Sequence, residues 1–441
     1  MTRVLVVGGG AREHAMAAAA KRAGADVYAI LKNRNPGIAR LAVETRYAAE
    51  ADAAAVAEQA KRWSCDLALV GPEAPLAAGV ADSLGSVGVP CAAPTRAAAE
   101  IESSKAFMRA LLARHAVPGR LEYGLFTDTR GLREYIDDLR QVAIKPVGLT
   151  GGKGVKVTGD HLADAREAYS YAKEILDTKL GGPAVLVEEL AIGEEFTVMA
   201  FCDGERIVAM PAIQDHKRAW DGDKGPNTGG MGSYSDADGL LPFLPKADYD
   251  TAADIVRRIV AALKKDGRPY VGPIYGQFML SAEGPRVIEI NARFGDPEAM
   301  NALTLLESDY VEVCRAMAEG RLSASVRWRP EATVCKYVVP KGYGSTPVPP
   351  APLHVDETAV RHAGAEAYYA AVNEEAGVIR TTTSRAIGVV ARGATLEEAD
   401  GRVEAALKHV RGDAVYVRHD IGSRALVERR VEHMRRLGRS R

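Results

Sequence analysis

The sequence predicts a multidomain protein of the α/β and α+β classes, and three observations carry that expectation. At 441 residues the chain is long enough for several packed domains rather than one. Residues 1–102 alternate short apolar runs with helical stretches, the pattern of an N-terminal parallel α/β sheet covered on both faces. Residues 331–441, punctuated by Pro347, Pro349, Pro350 and Pro352, show strands near 333–338 and 386–390 and read as a compact C-terminal α+β domain. Between them, residues 103–330 form a longer mixed segment that contains a smaller strand–helix–strand unit over about 119–190.

In the first domain an apolar run at 4–7 ends in Gly8-Gly9-Gly10, and a helix is expected over 13–23. A strand at 27–31, an alanine-rich helix at 51–63 and a strand at 67–70, ending in Gly71-Pro72-Glu73, complete the alternation. Ligands of such sheets bind outside the carboxyl ends of the strands, so loops 8–11, 32–37 and 71–75 are expected to share one crevice. Ser103-Ser104-Lys105 opens a helix to about Arg114, which Val117-Pro118 stops. Further strands are expected at 142–145, 154–157 and 185–188, a polar glycine loop at 225–232, and a hairpin at 274–291.

Composition narrows the function. A formal net charge of -1, with 26% charged and 47% hydrophobic residues, gives no reason to invoke nucleic acid. The basic residues Arg435, Arg436, Arg439 and Arg441 are expected to form a frayed, solvated end. No apolar stretch reaches the ~18 residues of a membrane span, and the start lacks the apolar core of a signal peptide. Cys65, Cys91, Cys202, Cys314 and Cys335 are scattered, with no Cys-x-x-Cys and no neighbouring histidine. That spacing predicts free, mostly buried thiols in a reducing cytoplasm rather than a zinc site.

The run Gly8-Gly9-Gly10-Ala11-Arg12-Glu13-His14 carries a strand into a helix N-terminus, where unpaired backbone N–H groups suit a phosphate. Glu13 stands where a dinucleotide fingerprint has its third glycine, and Lys32-Asn33 replaces the expected acid, so NAD is disfavoured. Arg12 suits a single sugar phosphate; a turn kept only for packing is the plain alternative. Residues 142–155 give a strand, a glycine-rich loop and another strand. No Ser or Thr follows Lys153, so this is not a Walker loop. A glycine hairpin folding over a triphosphate fits better, with Lys145 on the strand and Lys153 at the tip, against the alternative of a surface hairpin with incidental lysines. Residues 185–195, an apolar strand ending in acids, are a weak signal alone.

The hairpin is more informative. Pairing Leu280 with Arg286 sets Gln277 opposite Glu289 and Tyr275 opposite Asn291, while Glu289, Asn291 and Arg293 alternate onto one side. Strands this apolar normally bury that side, so a carboxylate and two amides there require a reason. Their oxygens match Mg²⁺, which bridges substrate phosphates, and Arg293 suits a carboxylate or acyl phosphate. A solvated edge hairpin is the alternative. The long polar stretch from Gln214 to Gly232 reads as a functional lid or as disorder. No Ser–His–Asp or Cys–His pattern emerges.

Taken in order, Gly10-x-Arg12-Glu13-His14-Ala15, Gly71-Pro72-Glu73-Ala74-Pro75-Leu76, Ser104-Lys105-Ala106-Phe107 and the loop 148–155 resemble the phosphoribosylamine–glycine ligases of the ATP-grasp superfamily. So do Asp215-His216-Lys217-Arg218, Gly225-Pro226-Asn227-Thr228-Gly229-Gly230-Met231-Gly232 and Asn291-x-Arg293-Phe294-Gly295-Asp296-Pro297-Glu298. The likeness spans essentially the whole chain, to Asp420-Ile421-Gly422. It implies a pre-ATP-grasp N-terminal domain, an ATP-grasp core with a mobile lid subdomain, and a C-terminal α+β domain. It also implies ligation of glycine to 5-phosphoribosylamine with ATP, through a glycyl phosphate, by a stand-alone cytoplasmic monomer using Mg²⁺ or Mn²⁺.

By similarity Lys105, Lys145, Gly151, Gly152, Lys153 and Gly154 hold the phosphates. Glu188, Glu189, Leu190 and Ala191 form the adenine hinge, and Glu195 takes the ribose. Gln277, Glu289 and Asn291 carry the metal. Arg293 and Asp215 are the expected catalytic groups around glycine and the acyl phosphate. Gly10, Arg12, Asn35, Gly37, Pro72 and Glu73 line the ribosylamine site. Three departures from the family pattern stand out: Asn35-Pro36-Gly37-Ile38 for Pro-Gly-Asn, Gly148-Leu149-Thr150-Gly151-Gly152 for Gly-Leu-Ala-Ala-Gly, and Thr383-Ser384-Arg385 for a Gly-Gly-Arg turn, the last expected away from the chemistry. Two other readings stay open. One is a sibling ATP-grasp ligase using formate or bicarbonate, which segments 71–76 and 225–232 disfavour. The other is a non-catalytic ATP sensor, which Lys145, Glu289, Asn291 and Arg293 disfavour.

Overall fold

The computed structural model describes residues 1–148, 154–439 and 441. The N-terminal sheet is parallel, in the order Ala42–Tyr47, Asp26–Leu31, Arg3–Val7, Leu67–Val70. Val4 to Val7 are all buried, as an inner strand covered on both faces requires. The helix after the glycine turn begins at Ala11 rather than residue 13. The edge strand Ala42–Tyr47 has no counterpart in the sequence reading. Its Glu44, Thr45 and Arg46 give it no apolar run, and it leaves the short helix Pro36–Leu41 without a turn. The three expected loops do meet at one sheet edge. Asn33 donates to the Gly9 carbonyl at 3.2 Å, and a methyl group on Gly8 would lie 2.7 Å from Pro72.

The helix Lys105–Arg114 is capped by Ser104, whose hydroxyl accepts from Phe107 N–H at 3.1 Å. A four-stranded antiparallel sheet follows, in the order Tyr123–Phe126, Val185–Glu189, Val142–Pro146, Lys156–Val157. Helices Leu132–Leu139 and Ala165–Thr178 pack on it through an apolar cluster that includes Leu132, Ile136, Ile144, Ile175 and Val187. That cluster is separate from the main core.

The central platform is a second antiparallel sheet: Ile207–Ala209, Glu194–Asp203, Val271–Ser281, Gly284–Asn291. Helix Lys246–Lys265 buries Ile255, Val256, Ile259 and Leu263 in the main core, to which Phe196 and Phe278, stacked at 5.4 Å, also belong. The hairpin register corrects the sequence reading in one half only. Gln277 does face Glu289 and Tyr275 faces Asn291, but Leu280 pairs with Pro285 and Met279 with Arg286. Ile288 is an extra residue, a bulge that shifts the register by one between the turn and the polar end.

The last large sheet runs Gln214–Asp215, Gly232–Ser235, Ala332–Pro340, Ile387–Gly393, Ala365–Tyr369, with Val415–Val417 also on Ala332–Pro340. Two of these strands come from the middle segment, so the polar loop 225–232 is tied to the C-terminal sheet. Arg435 and Arg436 are solvated as expected, but the last residues are docked rather than frayed, which corrects the expectation for Arg439 and Arg441. Arg439 lies 3.2 Å from Asp248 and donates to the Ala282 carbonyl at 3.0 Å, and Arg441 pairs with Asp238. The five cysteines are free and all but Cys91 are buried. Among the described residues no helix is long and apolar enough to cross a membrane.

Candidate active site

A cavity of about 740 Å³ lies where the N-terminal sheet edge, the smaller sheet, the platform hairpin and the C-terminal sheet converge. Its size suits a nucleotide with small partners. Lys105, Lys145, Glu188 to Ala191, Glu195, Asp215, Lys217, Glu289, Asn291 and Arg293 all line it.

At the wall formed by the smaller sheet, Lys145 Nζ donates to Glu188 Oε2 at 2.6 Å. The Arg109 guanidinium, fully buried, holds both oxygens of the same carboxylate at 2.6 and 2.8 Å. It also donates to the carbonyls of Val287 and Ile288 at 2.8 and 2.9 Å, on either side of the step into the bulge. Burial alone would raise the Glu188 carboxyl, but Arg109 and Lys145 more than reverse this and keep it ionised. The Glu188 side chain, expected at the adenine hinge, therefore aims Lys145 instead. Glu189 turns outward, accepting from Glu122 N–H at 2.9 Å and pairing with Arg286. Any hinge contact at these two positions falls to the backbone. Lys105 Nζ donates to the Gly148 carbonyl at 3.1 Å; burial lowers its pKa.

On the platform, the Lys217 ammonium sits among oxygens. It donates to Gln277 Oε1 at 2.6 Å and lies 3.8 Å from both Glu195 and Glu289. Gln277 gives its Nε2 to Glu195 at 2.5 Å, and its oxygen also accepts from Tyr275 at 3.1 Å. Its amide is thus engaged at both ends within the protein. Beside it stand Glu289 and Asn291, with Asn291 Nδ2 3.3 Å from Glu289. Burial would raise the Glu289 carboxyl, yet Lys217, Asn291, Lys145 and Lys105 bring it down to about 2. Among the described residues no three His, Cys, Asp or Glu side chains gather as a metal cluster. One carboxylate beside one amide fits a Mg²⁺ or Mn²⁺ that takes its other oxygens from phosphates and water.

Toward the C-terminal sheet, burial and the neighbouring Glu298 raise the Asp215 carboxyl well above the usual range, partly opposed by Lys217 and Arg385. Arg385 donates to the carbonyls of Gly229 and Asp296 at 2.6 Å each and to Asp296 Oδ2 at 3.0 Å. Ser384 and Arg385 line the cavity, so the departure at 383–385 is part of the site and not remote from it.

At the N-terminal end, Arg293 pairs with Glu102 at 2.8 Å, and Arg12 pairs with Glu13 at 2.6 Å and donates to the Phe294 carbonyl at 3.0 Å. Glu13 also accepts from Gly10 N–H at 2.7 Å, so a carboxylate of the chain itself occupies the helix N-terminus. Arg293 and Arg12 outweigh burial and hold the Glu73 carboxyl below its usual value. Arg12 and Glu73 line the cavity, whereas Gly10, Asn35, Gly37 and Pro72 are not part of its lining. Asn35 is a helix cap, accepting from Gly37 and Ile38 N–H and donating to the Gly9 and Tyr369 carbonyls at 3.0 and 2.7 Å. Its side-chain hydrogen bonds are thus taken up within the chain. Gly37 is bare because the His14 ring lies against it. Gly151, Gly152 and Lys153 lie outside the described residues; Gly154 is described, with Tyr171 donating to its carbonyl at 2.8 Å.

Sequence reasoning assigned no role to Arg109, Glu102, Lys217, Glu298 or Arg385. Lys217 and Glu298 stood inside the motifs that carried the resemblance; Arg109 and Glu102 had no local signal.

Family models for phosphoribosylglycinamide synthetase match nearly the whole chain: the N domain over residues 2–102, the ATP-grasp domain over 103–299 and the C domain over 333–424. The phosphoribosylamine–glycine ligase of Methanothermobacter thermautotrophicus is 50% identical over 98% of this chain and 99% of its own. That of Methanopyrus kandleri is 49% identical over 99% of each. The crystal structure of the Thermotoga maritima phosphoribosylamine–glycine ligase superposes with a TM-score of 0.81 at 25% identity, covering 95% of this chain and 100% of its own. The biotin carboxylase domain of a Hydrogenobacter thermophilus 2-oxoglutarate carboxylase, solved with MgADP and bicarbonate, shares the fold, with a TM-score of 0.73 at 14% identity over 99% of this chain and 98% of its own. The chain belongs to the phosphoribosylglycinamide synthetase family of ATP-grasp ligases.

Proposed function

We propose that this chain joins glycine to 5-phosphoribosylamine with ATP, giving glycinamide ribonucleotide, ADP and phosphate, as a step of purine biosynthesis. One observation carries the reading. Lys105, Lys145, Lys217 and Arg293 converge with Glu289 and Asn291 on one cavity, and among the described residues no serine, threonine or cysteine is hydrogen-bonded to a histidine. A site rich in cations and lacking an activated nucleophile suits phosphoryl transfer to a substrate carboxylate, where catalysis is positioning and charge neutralisation.

In this reading the glycine carboxylate attacks the γ-phosphorus and ADP leaves, forming glycyl phosphate. The ribosylamine nitrogen then attacks the glycyl carbonyl, a proton is lost and phosphate departs. Lys105 and Lys145 hold phosphate oxygens, together with Gly151, Gly152, Lys153 and Gly154. Bound at Glu289 and Asn291, Mg²⁺ or Mn²⁺ supplies charge neutralisation at the phosphates. Arg293, whose burial is offset by Glu102 and Glu73, orients the reacting carboxylate. Asp215 receives the glycine ammonium, because a cation arriving beside a buried, charge-crowded carboxyl ionises it. Glu195 takes the ribose, the backbone of Glu188 to Ala191 the adenine, and Arg12 with Glu73 the ribosylamine.

The working units of this reading are residues 1–102, 103–330 with a lid over about 119–190, and 331–441, acting as a cytoplasmic monomer. The test is ADP release with Mg²⁺, glycine and freshly generated phosphoribosylamine, each omitted in turn. ADP formed only with the full set, and glycinamide ribonucleotide identified by mass, is the expected result. Turnover indifferent to glycine but dependent on another carboxylate would move the assignment to a sibling ligase.

A further inference from the structure

Helix Arg424–Arg436 begins at the last residue the family models match, and it does not pack only against its own domain. His433 Nδ1 and Glu194 Oε1 are 2.6 Å apart, and Arg430 reaches Glu194 Oε2 at 3.0 Å. Both oxygens of a buried carboxylate in the ATP-grasp platform are therefore held by one C-terminal helix. Arg430 also pairs with Asp223, which Arg418 contacts at 3.0 Å, so the same arginine fixes the tip of the hairpin Arg218–Trp220/Lys224–Asn227. Arg430 lines the cavity beside Gly193 and Glu194.

Glu194 is the first residue of its strand, and neighbours along a strand point to opposite faces. Holding Glu194 toward the helix turns Glu195 toward Gln277 and Lys217, where its carboxylate is found. The preceding Gly193 leaves no slack: a Cβ there would lie 1.8 Å from the Leu280 carbonyl oxygen. Removing the clamp would leave a carboxylate that burial already raises without its compensating cation. The strand start and the hinge residues just before it would lose their common anchor.

We propose that helix Arg424–Arg436 is part of the nucleotide site, with Arg430 and His433 as positioning residues that set Glu195 and the adjoining hinge through Glu194. The inference rests on the ATP-binding reading above. It gives the C-terminal domain a task in substrate binding besides closing the cavity.

The test is MgADP binding by calorimetry, together with KM for ATP and for glycine, in the wild type and in Arg430→Met, Arg430→Lys, His433→Gln and Arg436→Met. Arg430→Met should weaken MgADP about tenfold, equivalent to about 1.4 kcal/mol, and raise KM for ATP in proportion while KM for glycine stays within about twofold. Arg430→Lys should recover part of that loss. Arg436→Met, whose side chain is largely exposed, should bind like the wild type. If Arg430→Met does not fold, His433→Gln removes a single contact and should show the same ATP-selective change at smaller size. Wild-type MgADP affinity in folded Arg430→Met, with only the melting temperature lowered, would mean a packing role and overturn the inference. Absence of MgADP binding by the wild type would instead remove the nucleotide reading itself, and this inference with it.

Discussion

The smaller sheet of residues 123–189 and the platform hairpin form opposite walls of one cavity, yet they are held in place differently. The platform strands Val271–Ser281 and Gly284–Asn291 bury Ile274, Phe278, Leu280 and Val287 in the main core. The smaller sheet keeps a core to itself and reaches across the cavity through polar contacts, among them Arg218 with Asp160 and with His161 at 3.4 Å. A wall set in a large apolar core cannot shift without opening voids. One with its own core turns on a few polar ties: the buried Arg109–Glu188 pair holds it on the platform side, while the pair to the half-exposed Asp160 gives way at little cost. The groups that need fixed geometry, Glu289 and Asn291, stand on the first wall. Lys145, proposed to meet a triphosphate that has to enter and be covered, stands on the second.

This contrast can be broken from either side. The largest effect is expected on the platform. Glu289→Gln should fold normally and lose about 100-fold or more in kcat/KM, about 2.7 kcal/mol of transition-state stabilisation, because a neutral amide holds the metal and its phosphates weakly. Steady-state kinetics with circular dichroism checks this, and near-wild-type turnover would remove Glu289 from the metal site. Next comes Lys145→Met on the smaller sheet. Arg109 still holds both oxygens of Glu188, so no carboxylate is stranded, and the loss should be about 10- to 100-fold, the value of one charged hydrogen bond to phosphate.

A smaller effect follows from Asp215. Its carboxyl is raised, so it is neutral at low pH and ionises only as pH rises through its folded value. KM for glycine should therefore climb by about tenfold per pH unit below that value, and Asp215→Asn should flatten the profile at a uniformly high KM. Glu298, Glu195, Lys217 and Arg385 face the same carboxyl, so Glu298→Gln should shift the break to lower pH by removing a repulsive charge. The smallest effect belongs to the contact between Arg218 and Asp160. Arg218→Met removes a pair whose aspartate is half exposed; less than about fivefold is expected, in KM for ATP, since such pairs are worth ~0–1 kcal/mol.

How much of this was legible beforehand differs between the same regions. The platform's polar end could be read from alternation alone, because Gln277 with Glu289 and Tyr275 with Asn291 depend only on local register. The error at Leu280 came from the Ile288 bulge, which Arg109 supports by donating to the Val287 and Ile288 carbonyls. That arginine is 179 residues away in sequence from one of its targets, and no periodicity reports such a contact. Asn35 shows a contact that sequence does not report. A polar residue in a loop at a sheet edge looks available for a ligand, and only the three-dimensional arrangement shows its amide consumed by the helix it caps and by the Gly9 and Tyr369 carbonyls. The edge strand Ala42–Tyr47 escaped notice for a third reason: an exposed edge needs no apolar run.

The central claim is that the carboxylate of glycine takes the phosphoryl group before the amide bond forms. The most direct measurement uses glycine labelled with ¹⁸O in both carboxylate oxygens, in the complete reaction with ATP and phosphoribosylamine, followed by mass analysis of the phosphate released. The account predicts one ¹⁸O in each phosphate and one retained in the glycinamide ribonucleotide. Unlabelled phosphate alongside the same product would contradict it, because the glycine oxygen would then never have been bonded to phosphorus.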